Sequence, residues 1–302
     1  MNNTKHNGSA DHHSHNEDNC SPETIMIISC VLNAPLMLIS ILGNALVLAA
    51  IIRTPSIRST PHMIMLSSLA VADFLVGLIA QPTYIGDLLL KRSYVYHVAV
   101  MSGYSYCLVS LFTLTVITVD RFLALHYHMR YATLVTESRV KYTLISIWLI
   151  SFFVSGFGLW NERVQSILVG ILTIMCLLMS TFSYIRIYRI IRRHHLQIRT
   201  QQQAVQSFNA GNTSSIARLK KSAMNTFVFY IVLIVCFFPL YVLSIRYGTS
   251  DKDWPTEWTL AYNLVFSNSS INPFLYCWRL RELRAAVVKT AKQMLCKQTE
   301  EN

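Results

Sequence analysis

An all-α membrane protein, a bundle of seven spanning helices followed by a short amphipathic eighth, is the fold this sequence predicts. Composition, the spacing of apolar runs and the placement of basic residues predict it. Of the 302 residues, 53% are hydrophobic and only 14% are charged, against roughly 25% charged in soluble globular domains. A spanning helix needs about 20 mostly apolar residues, because lipid cannot satisfy an exposed backbone. Seven such runs occur, at 25–52, 61–89, 94–121, 141–160, 164–187, 222–246 and 257–278. The connections are short except for 190–218, which is rich in Gln, Asn, Ser and basic residues. That spacing leaves no room for a soluble catalytic domain. No nucleophile, base or transition-metal cluster converges, so an enzyme is not expected.

The net charge of +11 would suit nucleic acid, but its distribution does not. Basic residues fall in alternate connections: Arg53 and Arg58, then Arg130, Arg139 and Lys141, then Arg186 to Lys221, then Arg279 to Lys292. The positive-inside rule makes these connections cytoplasmic. The N-terminus is then outside and the C-terminus inside, as an odd number of spans requires. The chain divides into an outer tail (1–24), the bundle (25–278) and a cytoplasmic segment (279–302). The tail is polar and carries sequons at Asn2, Asn7 and Asn19, which predict glycosylation. Its "DHHSH" stretch reads as solvated chain rather than a metal site. Of seven cysteines, Cys107, Cys176 and Cys236 fall inside helices, where the residue usually packs as a small apolar group. No cysteine lies in the second or third outer connection.

Ionisable groups at bilayer depth are expensive and mark function. Asp73 lies about 12 residues, or about 18 Å, past Pro61, close to mid-membrane. Its available partners are Asn44, Ser110, Asn268, Ser269 and Asn272. A carboxylate among hydroxyl and amide oxygens suits a small hard cation such as sodium. The alternative is a protonated Asp73 in a structural hydrogen-bond network. Pro239 and Pro273 each remove a backbone donor and kink the sixth and seventh runs. At the end of the third run, Asp120 and Arg121 stand side by side in "TVDRFLAL".

These residues resemble the rhodopsin-like (class A) G protein-coupled receptors, over nearly the whole chain from Ile25 to Cys296. "GNALV" is similar to the first-helix motif of that family, "LAVAD" to the second, "DRF" to the third and "NPFLY" to the seventh. Trp148 and Tyr184 match the fourth- and fifth-helix signatures. "CFFP" is similar to the sixth, with Phe237 in place of the tryptophan switch. The resemblance implies a sodium pocket at Asp73, Ser110, Asn268, Ser269 and Asn272. It implies G protein coupling through Asp120, Arg121, Met129, Tyr184 and Tyr276, with Phe237, Pro239 and Pro273 as helix switches. Arg121 would leave Asp120 on activation, and Tyr184 and Tyr276 would steady the open state. Trp278–Met294 reads as an amphipathic helix on the anionic inner leaflet, with Cys296 a palmitoylation candidate. Heterotrimeric G protein, an extracellular ligand, membrane lipids and arrestin are the implied partners, at the plasma membrane.

The departures from the pattern also carry information. Tyr96 or a neighbour replaces the third-helix cysteine, and the second outer connection is only about "NERVQ". Phe122 replaces the motif tyrosine, and Leu219 the acid that would hold Arg121 to the sixth helix. Both changes predict a loose gate and raised basal signalling. A short, disulfide-free outer loop resembles the melanocortin, cannabinoid and lysophospholipid receptor cluster, with adenosine receptors as looser relatives. Gly103 stands where amine receptors keep an aspartate, and Phe266 where opsins keep a lysine. The expected ligand pocket includes Tyr104, Cys107, Tyr241, Ser244 and Tyr262, within a tyrosine-rich region that also holds Tyr84 and Tyr106. It suits a small molecule, a lipid or a small peptide. The rival readings are a channel or transporter, and a seven-helix trafficking or dimerising partner that no longer signals.

Overall fold

The computed structural model describes residues 22–90, 92–127, 130–204, 227–228, 230–243 and 256–300. Among them every regular element is a helix. The elements are α1 (Pro22–Arg53), α2 (Pro61–Leu90), α3 (Ser93–His126), α4 (Glu137–Gly156), α5 (Glu162–Ala204), α6 (Tyr230–Leu243), α7 (Thr256–Arg279) and α8 (Arg281–Glu300). Single-turn helices at Pro55–Arg58 and Tyr131–Leu134 fill the connections after α1 and α3. Asn2, Asn7, Asn19, Met129, Leu219 and Ser244 lie outside the described residues, as does the side chain of Cys296.

The helix boundaries follow local chemistry. Pro61 opens α2 at its first turn, where its missing amide hydrogen costs nothing. The Thr136 hydroxyl caps α4 by accepting from the Arg139 amide. Within α2, a π-helical turn spans Val76–Ala80, between Asp73 and Pro82. Two helices run past their apolar runs. α3 continues to His126, so Asp120 and Arg121 sit inside its last turns, not at its end. α5 continues to Ala204, well into the basic connection. "NERVQ" is not a loop: Glu162 already opens α5, and Phe157–Leu159 is a 3₁₀ turn.

The bundle buries polar groups and exposes apolar ones, the reverse of a soluble protein. Asn44 and Asp73 are fully buried, and Asn272 nearly so, while Leu42, Phe153 and Ile174 are largely exposed. Such faces are tolerable only in lipid. Among the described residues, α1 to α5 are each long and apolar enough to cross a membrane. The described part of α6 is apolar but short. α7 is more polar than the run 257–278 suggested, because its inward face carries Asn263, Asn268, Ser269, Ser270 and Asn272.

α1 reaches its neighbours through glycines. A Cβ on Gly43 would come within 2.9 Å of the Pro273 ring, so the proline turn of α7 rests on the bare backbone of α1. A Cβ on Gly77 would come within 3.0 Å of Ser40 and Ile41. α4 is tied to α2 by the Trp148 indole, which donates to the Ser68 hydroxyl at 3.0 Å. α8 packs on α1 and buries Leu283, Ala286, Val287 and Thr290, a helical spacing that leaves Arg281, Glu282, Arg284 and Lys289 outward.

Candidate functional site

Three layers along the bundle hold the chemistry. In the first, the Asp120 carboxylate, 2% exposed, pairs with the Arg121 guanidinium at 2.5 Å. Its other oxygen accepts a hydrogen bond from the Tyr131 hydroxyl at 2.6 Å. Tyr131 was not singled out in the sequence; it lies eleven residues downstream, at the start of the single-turn helix after α3, beyond any spacing within one helix. Burial, with the Asp120 charge beside it, raises the Tyr131 pKa above its ordinary value, so the donor stays protonated. Phe122 turns away and stacks on His126 at 5.4 Å. Tyr184 hydrogen-bonds Thr118 at 3.3 Å and packs on Tyr230, while Tyr276 is fully buried. The two tyrosines pack in separate apolar clusters, Tyr276 in the main core and Tyr184 with Leu125 and Ile187.

The second layer surrounds Asp73. Its two oxygens accept from the Ser110 hydroxyl at 3.1 Å and the Asn272 amide at 2.7 Å, and Ser269 also hydrogen-bonds it. The Ser40 hydroxyl donates to the Asp73 carbonyl at 2.7 Å. Asn44 donates to the Ser269 carbonyl at 3.2 Å, joining α1 to α7. Helices α1, α2, α3 and α7 thus converge on one carboxylate. Asn268 is buried here without a bond to Asp73. Its side-chain oxygen and that of Asn44 are buried acceptors with no donor among the described residues. Unpaired acceptors beside a carboxylate fit a hard cation.

The third layer is a cavity of about 220 Å³ between α2, α3, α5, α6 and α7. Of the expected pocket residues Tyr104, Cys107, Tyr241 and Tyr262 line it, and so do Tyr84, Gly103 and Phe266. Tyr106 does not: it turns outward onto Phe152 and Trp148. Cys107, Leu111 and Phe237 lie at its deep end, and Ser110, one turn from Cys107, contacts Asp73. The cavity therefore ends directly over the second layer. A side chain on Gly103 would meet nothing within 4 Å. Asp87, Tyr96 and Thr173 also line the cavity, and none was among the residues expected there. Near the other end the Tyr96 hydroxyl donates to Glu162 at 3.2 Å, linking α3 to the start of α5. Gln165 ties the start of α5 to α4 by donating to the Ser155 carbonyl at 3.0 Å. Gly158 faces it so closely that a Cβ would lie 2.4 Å from the Gln165 amide oxygen. Non-covalent contacts thus hold the place where the resemblance led one to look for a disulfide. Cys30, Cys107, Cys176, Cys236 and Cys277 are free thiols.

A model of the rhodopsin family of seven-transmembrane receptors matches residues 43–165 and 157–276. The chain belongs to that family. It is a class A G protein-coupled receptor and a multi-pass protein of the plasma membrane, in a family of signalling receptors rather than enzymes. The histamine H2 receptor of Cavia porcellus is 26% identical over 292 residues, covering 87% of this chain and 78% of that receptor. Melanocortin receptor 4 of Danio rerio is 27% identical, covering 90% and 85% respectively. Adenosine receptor A2b of Gallus gallus is 24% identical, covering 88% and 89%. These relatives carry names from three ligand classes, so kinship with the receptor family is firm while the ligand must be argued from the cavity.

Proposed function

We propose that this receptor binds a small, largely apolar ligand in the cavity between α3 and α7, entering from the extracellular side, and activates a heterotrimeric G protein through the Asp120–Arg121 end of the bundle. The observation that carries this reading is the stacking of the three layers: the cavity is lined by Phe237 and Cys107, and Ser110, one helical turn from Cys107, donates to Asp73. A ligand wedged against Phe237 would press on α6 just before the Pro239 kink. Tyrosine hydroxyls and Thr173 offer hydrogen bonds to an otherwise apolar wall. With glycine at 103, recognition of the kind that amine receptors place at that position is absent here.

Sodium, when bound, would supply a positive charge against the Asp73 carboxylate. Asp73, Ser110 and Ser269 would hold it, with Asn268 and Asn44 supplying the unpaired oxygens. Asn272 anchors the carboxylate to the kinked segment of α7, so any rotation of α7 must disturb the layer. At the inner end Asp120 restrains Arg121, and Tyr131 keeps Asp120 in place. The N-terminal tail with Asn2, Asn7 and Asn19 is outside in this reading. The basic outward face of α8 lies on the anionic inner leaflet, where Cys296 is available for palmitoylation.

The test is a ligand-library screen in cells carrying promiscuous G proteins, repeated on Gly103→Phe. The ring would project into open cavity, so surface expression stays normal and each agonist found on the wild type loses its response. Agonists that act equally on Gly103→Phe would place the ligand elsewhere.

A further inference from the structure

We propose that the outer mouth of this cavity is an acidic vestibule that selects cationic amphiphiles, with Asp87 holding the positive end of the ligand. The proposal rests on the cavity being the ligand site.

Asp87 supplies the carboxylate among the lining residues, which otherwise contribute hydrocarbon, tyrosine, threonine and one thiol. Among the described residues no cation pairs with it, and neither Arg92 nor Arg163 lines the cavity. Glu162 adds a second negative charge at the same rim. The Tyr96 hydroxyl donates to Glu162, and among the described residues no ion pair engages Asp87. Tyrosine rings surround the approach: Tyr84 and Tyr262 lie 5.7 Å apart, and Tyr96 and Tyr104 line the α3 side. Aromatic faces attract an ammonium group by their quadrupole, and they do so best where water is excluded. A carboxylate set in low-dielectric walls focuses its field into the cleft. Both features ask for the same occupant: a protonated or quaternary ammonium at the mouth, on an apolar body that reaches toward Phe237. Its partner carboxylate sits on α2, whereas α3 presents the bare Gly103.

Cys107 makes this measurable without a known ligand, because its free thiol lines the same cavity. Intact cells expressing the full chain would be treated with membrane-impermeant methanethiosulfonates carrying either a trimethylammonium or a sulfonate group. Modification of Cys107 would be read by mass spectrometry, with each rate divided by that reagent's rate on a free small thiol. The cation should be favoured by on the order of tenfold. Asp87→Asn should remove most of that preference and Glu162→Gln a smaller part, leaving whatever the nearby Asp73 contributes. A neutral methyl thiosulfonate should react equally with wild type and both variants, which shows the cavity intact. No charge preference, or one unchanged in Asp87→Asn, overturns the vestibule while leaving the cavity as ligand site. Failure of all three reagents to reach Cys107 overturns the cavity reading itself.

Discussion

Tyr131 and Arg121 share one carboxylate: the phenol donates to one oxygen of Asp120 at 2.6 Å and the guanidinium holds the other at 2.5 Å. Asp120 is thus held by two partners at once, an arrangement tighter than a lone neighbouring ion pair. A hydrogen bond to a charged group contributes about 1.5 kcal/mol or more, roughly a tenfold change in an equilibrium. Tyr131→Phe should therefore raise ligand-independent G protein activation severalfold at matched surface expression. Unchanged basal activity would show that Tyr131 does not restrain the gate.

The buried Asp73 layer should answer to sodium. If the cation occupies it, replacing sodium by choline should lower the melting temperature of purified receptor by a few degrees, from about 1–2 kcal/mol of binding linkage. Asp73→Asn should abolish that difference. A sodium effect that survives Asp73→Asn would place the ion elsewhere and leave Asp73 as a purely structural hydrogen-bond acceptor.

Gly43 has a sharper steric case than any other contact of α1. A methyl at 2.9 Å from the Pro273 ring must push α1 and α7 apart, at a cost of about 1–3 kcal/mol. Gly43→Ala should lower thermal stability by several degrees. Gly156→Ala is the control, since its Cβ meets nothing within 4 Å. Equal stability of the two variants would contradict the close α1–α7 contact.

The end of the bundle opposite Asp120 is held by Tyr96–Glu162 and Gln165–Ser155. Treatment with a thiol reductant should therefore leave the melting temperature unchanged, whereas Gln165→Ala should lower it by a few degrees, from a loss of about 1–3 kcal/mol, because the Ser155 carbonyl loses its donor and Gly158 its packing partner. A reductant-sensitive receptor would require a disulfide outside the described residues.

The parts that could be read from the sequence were those that repeat along one chain segment. Apolar runs gave the spans, and Asp73 stood out because a carboxylate at mid-membrane has no ordinary reason to be there. Ser110 and Asn272 were among the few polar partners available to Asp73 at that depth, and the fold brings both onto it. The hidden parts join residues far apart in sequence by geometry alone. Tyr131 looked like one aromatic in a basic loop until the turn after α3 folded it back. Ser29, Asn33, Gln81 and Asn263 each read as an isolated polar residue, yet they form one buried hydrogen-bonded cluster across α1, α2 and α7. Asp87 reads as a helix-end carboxylate at a membrane boundary; only the packing of α2, α3 and α7 makes it a cavity wall. Tyr106 went the other way, because helix phase, which a tyrosine count ignores, points it at α4.

The central claim is that Arg121, restrained by Asp120 and Tyr131, is the group that engages the G protein. Nucleotide exchange on purified G protein, measured with membranes carrying Tyr131→Phe and with membranes carrying Tyr131→Phe together with Arg121→Ala, tests it most directly. The account predicts exchange well above receptor-free membranes for the single variant and a return to the receptor-free rate for the double. Equal exchange by the two variants would contradict it.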